Sequence, residues 1–239
     1  MLNVVGLSGG KDSTCLAFML HDMEPQKEWT YICTPTGDES PEMVDHWLRL
    51  EQALGRQIIR ITHKNRTLDD VIQLNGMLPN FRARFCTRQL KIEPTVAWCV
   101  KNHPVLMHVG LRADEDEREG IYGDLVKSRF PFREWGFSLK EVLEYCESLK
   151  EQYGIVIPRR TDCLKCYHQR IGEWRDFWVN HPERYQLAVE QEQRMGHTFR
   201  SPGRDTWPVD LAGLRAAFES GRPIRGDKKN GSICRVCSL

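Results

Sequence analysis

Seven consecutive residues, Ser8, Gly9, Gly10, Lys11, Asp12, Ser13 and Thr14, carry the clearest chemistry in the chain. Two adjacent glycines let a backbone turn tightly and come close to a ligand. The apolar run 2–7 precedes them and reads as a buried strand. Residues 12–20 follow and read as a helix, with Leu16, Met19 and Leu20 on one face. Strand, glycine loop and helix in that order aim free amides and the positive end of a helix dipole at an anion. Ser8, Ser13 and Thr14 add hydroxyl donors, and Lys11 adds a full positive charge. The spacing is not that of a Walker A loop, which places four residues before its Gly-Lys. A merely glycine-rich turn is the plainer reading, and Lys11 argues against it.

Three other groups of residues have chemistry to offer. Arg82, Arg84, Arg88 and Lys91 put four cations within ten residues, a density that suits phosphate or sulfate. A solvated basic helix face would look the same. Asp114, Glu115, Asp116 and Glu117 form an acidic run beside Arg112 and Arg118, readable as a magnesium site or as a solvated turn. Cys163 with Cys166 and Cys234 with Cys237 are two Cys-x-x-Cys pairs, far stronger evidence for a metal than one pair. They stand too far apart for a zinc ribbon, so the fold has to assemble any shared site. Iron-sulfur, structural zinc and reactive thiols are the three readings, in that order of preference. Arg159, Arg160, Lys165 and Arg235 lie near enough in sequence to offset thiolate charge.

The remaining cysteines, Cys15, Cys33, Cys99 and Cys146, sit in apolar patterns and read as core thiols. Trp174, Phe177, Trp178 and Trp207 read as core rather than base-stacking residues, and His168 as a packed or surface histidine.

Strand patterns at 29–33, 58–61 and 105–110 alternate with helical patterns at 41–54, 68–74 and 90–100. Ser40 and Pro41 form a helix start, and Gly55 a helix stop. Such alternation predicts an α/β fold, a parallel sheet with helices on both faces. Ligands of such sheets bind beyond the carboxyl ends of the strands. Ser138 to Glu141 is a capping box opening a helix to about residue 153. From Cys163 onward helices and loops predominate. We therefore divide the chain into a nucleotide-binding domain, 1–135, and a helical cysteine-bearing region, 136–239, packed on the first.

The net charge of +1 gives no bulk reason to expect a polyanionic partner, so local clusters must carry that argument. The start of the chain lacks the features of an export signal, and no run is long and apolar enough to span a bilayer. A cytoplasmic protein with no membrane contact is expected. In that setting nine cysteines favour metal binding or catalysis over disulfides. Oligomeric state is not legible in the sequence.

The Ser-Gly-Gly-Lys-Asp-Ser run resembles the PP-loop of ATP pyrophosphatases, with their adenine nucleotide α-hydrolase-like fold. Three further segments resemble the phosphoadenylyl-sulfate (PAPS) reductase branch of that family. They are residues 35–42 with Thr36 and Gly37, residues 84–94 with Cys86, Arg88 and Lys91, and residues 110–118 with Gly110, Arg112 and Arg118. The resemblance implies ATP with Mg²⁺ as the bound nucleotide, its phosphates held by Ser8, Gly9, Gly10, Lys11, Asp12 and Ser13. It implies catalytic roles for Lys11 and Asp12. It also implies a [4Fe-4S] cluster on Cys86, Cys163, Cys166 and one of Cys234 or Cys237, with Zn²⁺ as the alternative. Cys237 is a candidate catalytic thiol on the same grounds.

Lys11 favours ATP over a nucleotide lacking the β,γ pyrophosphate. The implied activity is ATP cleavage to an adenylate plus pyrophosphate, for sulfur incorporation into a target. Nucleic acid or a sulfur-donor protein are the implied partners. The rivals are a PAPS or adenylyl-sulfate reductase releasing sulfite, and a non-catalytic nucleotide- and nucleic-acid-binding protein.

Overall fold

The computed structural model describes residues 1–115 and 123–224. Asp116, Glu117, Arg118, Cys234 and Cys237 lie outside the described residues.

Five parallel strands form one sheet in the order β3-β2-β1-β4-β5. They are β1 (Leu2–Gly6), β2 (Trp29–Cys33), β3 (Ile58–Arg60), β4 (Val105–His108) and β5 (Lys127–Arg129). β1 is central, with Val4 opposite Thr30 on one side and Met107 on the other. The strand order reverses between β1 and β4. That switch opens a crevice beyond their carboxyl ends, where ligands of such sheets sit.

The connecting helices are α1 (Lys11–Met23), α2 (Pro41–Leu54), α3 (Leu68–Asn75) and a helix running from residue 85 to 101. That last helix comprises α4 (Phe85–Thr87), a π-helical turn (Arg88–Ile92) and α5 (Glu93–Lys101). Its later counterparts are α6 (Pro131–Glu134), α7 (Leu139–Tyr153), α8 (Ile171–Asn180), α9 (Pro182–Met195) and α10 (Leu211–Glu219). Local chemistry sets several boundaries. The Ser40 hydroxyl accepts from the Met43 amide to start α2, and Gly55 ends it in the left-handed conformation, φ 62°. Ser138 and Glu141 complete the capping box of α7.

Alternation along β1 buries both faces of the sheet. Val5 packs with Leu16, Met43, Trp47, Val142 and Leu149, so α1, α2 and α7 cover one face. Val4 packs with Ile32, Met107 and Cys99, so α5 covers the other. Leu16, Phe18 and Leu20 are fully buried, each contributing about 1.5–3 kcal/mol of transfer free energy. A third core joins α8, α9 and α10 to α3 and the 85–101 helix, through Trp174, Phe177, Tyr185, Val71, Phe85 and Leu90. Trp178 and Trp207 pack against it, so these aromatics serve the core. Cys15, Cys33 and Cys99 are buried, and Cys146 is half-buried with its Sγ 2.9 Å from that of Cys15. Among the described residues, no helix is long and apolar enough to cross a membrane.

Candidate active site

The loop between β1 and α1 opens at the switch point. Gly9 has φ +90°, and a Cβ there would stand 2.1 Å from Met43 Cε, so only glycine fits. Ser13 Oγ accepts from the Gly9 amide at 3.2 Å and lies 3.0 Å from Ser8 Oγ. Trp47 Nε1 donates to the Ser8 carbonyl at 2.9 Å, and His46 Nε2 lies 3.1 Å from the Gly9 carbonyl. Two side chains of α2 thus hold the outer rim of the loop. No side chain caps the start of α1, which leaves that helix end aimed into the crevice.

His46 makes the loop pH-sensitive. Burial depresses its pKa from 6.5 to about 4. With Nε2–H donating to Gly9, its buried Nδ1 has no hydrogen-bond partner, so a second proton would be stranded there. The folded pKa lies below the unfolded one. The stability tied to neutral His46 is therefore complete above pH 6.5 and is lost as pH falls toward 4, at about 1.4 kcal/mol per pH unit in that window. Urea midpoints measured from pH 7 to 4 should fall less steeply for His46→Gln than for the wild type.

Lys11 Nζ lies 2.5 Å from Asp12 Oδ2, and Asp12 Oδ1 accepts from Arg112 Nη1 at 2.9 Å. Arg112 arrives from the loop after β4. Its Nε donates to Asp114 at 2.9 Å, and its Nη2 lies 3.5 Å from Glu115. Asp114 and Glu115 therefore clamp Arg112, and Arg112 in turn fixes Asp12. Asp12, Asp114 and Glu115 gather around Arg112, with Lys11 on Asp12 and Arg133 donating to the Glu115 carbonyl at 2.7 Å, and carboxylate oxygens are the donors a hard divalent cation takes. Gly110 permits this closeness, because a Cβ there would stand 3.1 Å from the Asp12 carbonyl oxygen.

The loop after β2 carries the cysteines toward the same crevice. Glu39 accepts from the amides of Thr36 and Gly37 at 2.7 and 2.9 Å. Thr36 Oγ1 lies 3.3 Å from Cys163 Sγ. The Asp38 carbonyl accepts from Leu164 N, and its carboxylate from Lys165 N, both at 2.8 Å. Burial raises the Asp38 pKa from 3.8 to about 6, with Lys165 opposing that shift. Lys165 is committed to carboxylates, 2.5 Å from Asp69 and 3.6 Å from Asp38, rather than to thiolates as its sequence position suggests. The chain before the cysteines passes beside the β1–α1 loop. A Cβ on Gly10 would lie 3.4 Å from Thr161 Oγ1.

Cys86, Cys163 and Cys166 share one neighbourhood. Burial raises the pKa of both Cys86 and Cys163, and the Lys91 charge opposes the rise at both. Cys86 and Cys166 both act on Tyr167, and Arg160 feels Cys163 and Cys166. Arg160 also donates to the Cys163 carbonyl at 3.1 Å. Thiol donors surrounded by cations are the chemistry an iron-sulfur group takes. Among the described residues, no three His, Cys, Asp or Glu side chains converge in metal-ligating geometry. The structure thus makes these thiols neighbours without bringing them to ligand distances.

Ser8, Gly9, Gly10, Lys11, Asp12, Ser13, Gly110 and Arg112 stand together in the structure, and Thr36 stands beside Cys163. Arg88 is exposed and lies 3.4 Å from Glu93, outside that cluster. His46, Trp47, Asp38 and Thr161 were not among the expected site residues. Asp38, in a glycine loop directly after a strand, was the only one with a local signal.

Residues 3–121 match the family model of the phosphoadenosine phosphosulfate reductase domain. The chain belongs to the PAPS reductase-like family. That match spans the phosphate loop, the Thr36 segment, Cys86 and Arg112, while Cys163 and Cys166 lie beyond it. No curated protein matches the chain. Among solved structures, it is similar to U34-tRNA thiolase NcsA from Methanococcus maripaludis with its [4Fe-4S] cluster. The identity is 19%, with 100% of this chain and 80% of that one covered and a TM-score of 0.50. At this identity the likeness speaks for the fold. This PAPS reductase-like chain has the α/β adenine nucleotide α-hydrolase-like fold, with a helical C-terminal region.

Proposed function

We propose that this protein cleaves ATP between its α and β phosphates and uses the adenylated acceptor for sulfur incorporation. The observation that carries the reading is Lys11 at the uncapped start of α1, inside the β1–β4 crevice. An acceptor oxygen attacks the α phosphorus, the bond to the bridging oxygen breaks, and pyrophosphate leaves. Lys11 and the loop amides, with the Ser8 and Ser13 hydroxyls, bind the leaving phosphates as their negative charge grows. Lys11 exchanges Asp12 for phosphate, and Arg112 keeps Asp12 in place. Mg²⁺, which would offset the pyrophosphate charge, would have to draw Asp12, Asp114 or Glu115 away from Arg112, since among the described residues these carboxylates do not form a ready ligand set.

Sulfur then displaces AMP from the acceptor. Cys86, Cys163 and Cys166 are the thiols that would hold a [4Fe-4S] group, whose chemistry would be the delivery of sulfur. The neighbouring thiolase, solved with such a cluster, supports this part of the reading. The family description supports a second reading, reductive release of sulfite from PAPS. Lys11 argues for the first, because PAPS lacks the phosphates it would grip.

The deciding assay supplies ATP or PAPS to the anaerobically purified protein. AMP plus pyrophosphate supports the proposal, whereas sulfite from PAPS without ATP turnover overturns it. Reconstitution with iron and sulfide tests the thiols separately. Cys163→Ser should take up little iron and lose the visible absorbance while binding ATP as tightly as the wild type. Full iron uptake by that variant, or a colourless wild type holding one zinc, would remove the iron-sulfur assignment.

A further inference from the structure

The surface beside the cysteines has features that neither the core nor nucleotide binding uses. From Val71 to Ile92 the sequence holds no acidic residue, but it holds Arg82, Arg84, Arg88 and Lys91. Within that stretch Phe81 is 49% exposed. A single exposed aromatic is unremarkable on most surfaces. This ring is braced. It meets Tyr167 and His168 edge-on, at 5.1 and 4.7 Å between centroids, and the Arg204 guanidinium lies 5.8 Å from its centre. Arg204 is anchored in turn, donating to the Gln169 carbonyl at 3.2 Å.

A ring fixed in this way loses little freedom when something stacks on it. The Arg204 guanidinium stands beside it, and Arg82 and Arg84, next along the chain, are exposed. Exposed aromatics set among guanidinium groups are how proteins hold unpaired nucleotides, one group stacking the base and the others tracking the phosphates. An acidic peptide matches the charge alone, because Asp and Glu side chains carry no aromatic face for Phe81 to stack on.

The place of the patch matters as well. Cys86 stands five residues after Phe81, and Tyr167 and His168 directly follow the Cys163–Cys166 turn. Whatever stacks on Phe81 therefore lies at the border of the three thiols.

We infer that Phe81, with Arg82, Arg84 and Arg204, forms a docking platform for an unpaired nucleotide strand, which is the acceptor of the reaction proposed above. The inference rests on that reading for the word acceptor and on the platform alone for the binding.

Fluorescence anisotropy of labelled 12-nucleotide single strands of mixed sequence, RNA and DNA, tests it on the full chain. The wild type should bind at least one of the two, with affinity falling as salt rises. Phe81→Ala should weaken binding about tenfold, in line with the stacking of one base, and leave the salt slope unchanged. Arg82→Gln should instead reduce the salt slope, by about 0.7. Both variants should bind ATP as the wild type does, which reports an intact fold. Protein that binds ATP but no strand overturns the inference and leaves the ATP reading standing. Strand binding that Phe81→Ala does not alter, or that polyglutamate displaces as readily as the oligonucleotide, overturns it too. Failure to bind ATP sinks the proposed reaction, and the strand measurement still decides the platform.

Discussion

Lys11→Ala should release pyrophosphate from ATP about a hundred- to a thousandfold more slowly than the wild type. The magnitude is that of removing one preorganised group from a site where negative charge develops. The lysine stem is not part of a core, and among the described residues its partner is Asp12, which keeps its contact with Arg112. Lys11 and Asp12 are both nearly buried, with side-chain exposures of 12% and 10%, so the change leaves Asp12 to Arg112 and should lower the urea midpoint, by less than Arg112→Ala does. The kinetic split is informative. A group that binds ground and transition states alike would raise KM alone, whereas one that meets the departing phosphates lowers kcat. Unchanged pyrophosphate release by Lys11→Ala would contradict the role given to the loop.

Arg112→Ala should have the largest effect on stability, a loss of about 3–5 kcal/mol. Arg112 and Asp12 are nearly buried, with side-chain exposures of 7% and 10%. Deleting one member of a buried ion pair leaves the other charged and desolvated, which costs far more than the intact pair contributes. Here the deletion also removes the Arg112 contacts of Asp114 and Glu115. Chemical denaturation of the wild type, Arg112→Ala, Asp12→Asn and the double variant measures the coupling directly. Strict additivity across that cycle would show that the pair does not act as a unit. Arg112→Lys should recover only part of the loss, because an ammonium cannot replace the guanidinium fork that meets Asp12 and Asp114 together.

Much of the fold was legible where a residue's local chemistry decides its conformation. Gly9 and Gly10 after an apolar run, Ser40 with Pro41, Gly55, and Ser138 with Glu141 each marked a boundary that the structure keeps. β5 left no such mark. Its residues, Lys127, Ser128 and Arg129, form a short edge strand that needs no apolar run, and pairing with β4 alone defines it. The π-helical turn at Arg88–Ile92 also leaves no periodic signal, since one inserted residue merely shifts the phase.

The site was legible to the same extent. The phosphate loop could be read because its residues are contiguous. Arg112 could be placed near phosphate but not against Asp12, since a pair one hundred residues apart is made by the meeting of β1 and β4. Lys165 looked like a counter-ion for thiolates, and only tertiary packing reveals its commitment to Asp69 and Asp38.

Thr161 standing against Gly10, and Thr36 against Cys163, have a thermodynamic consequence. On the function proposed above, the loop that would take phosphate and the segment that bears the thiols are neighbours, so filling one should change the free energy of filling the other. Linkage makes that influence mutual. Whatever factor a nucleotide imposes on loading the thiols, loading the thiols imposes on the nucleotide.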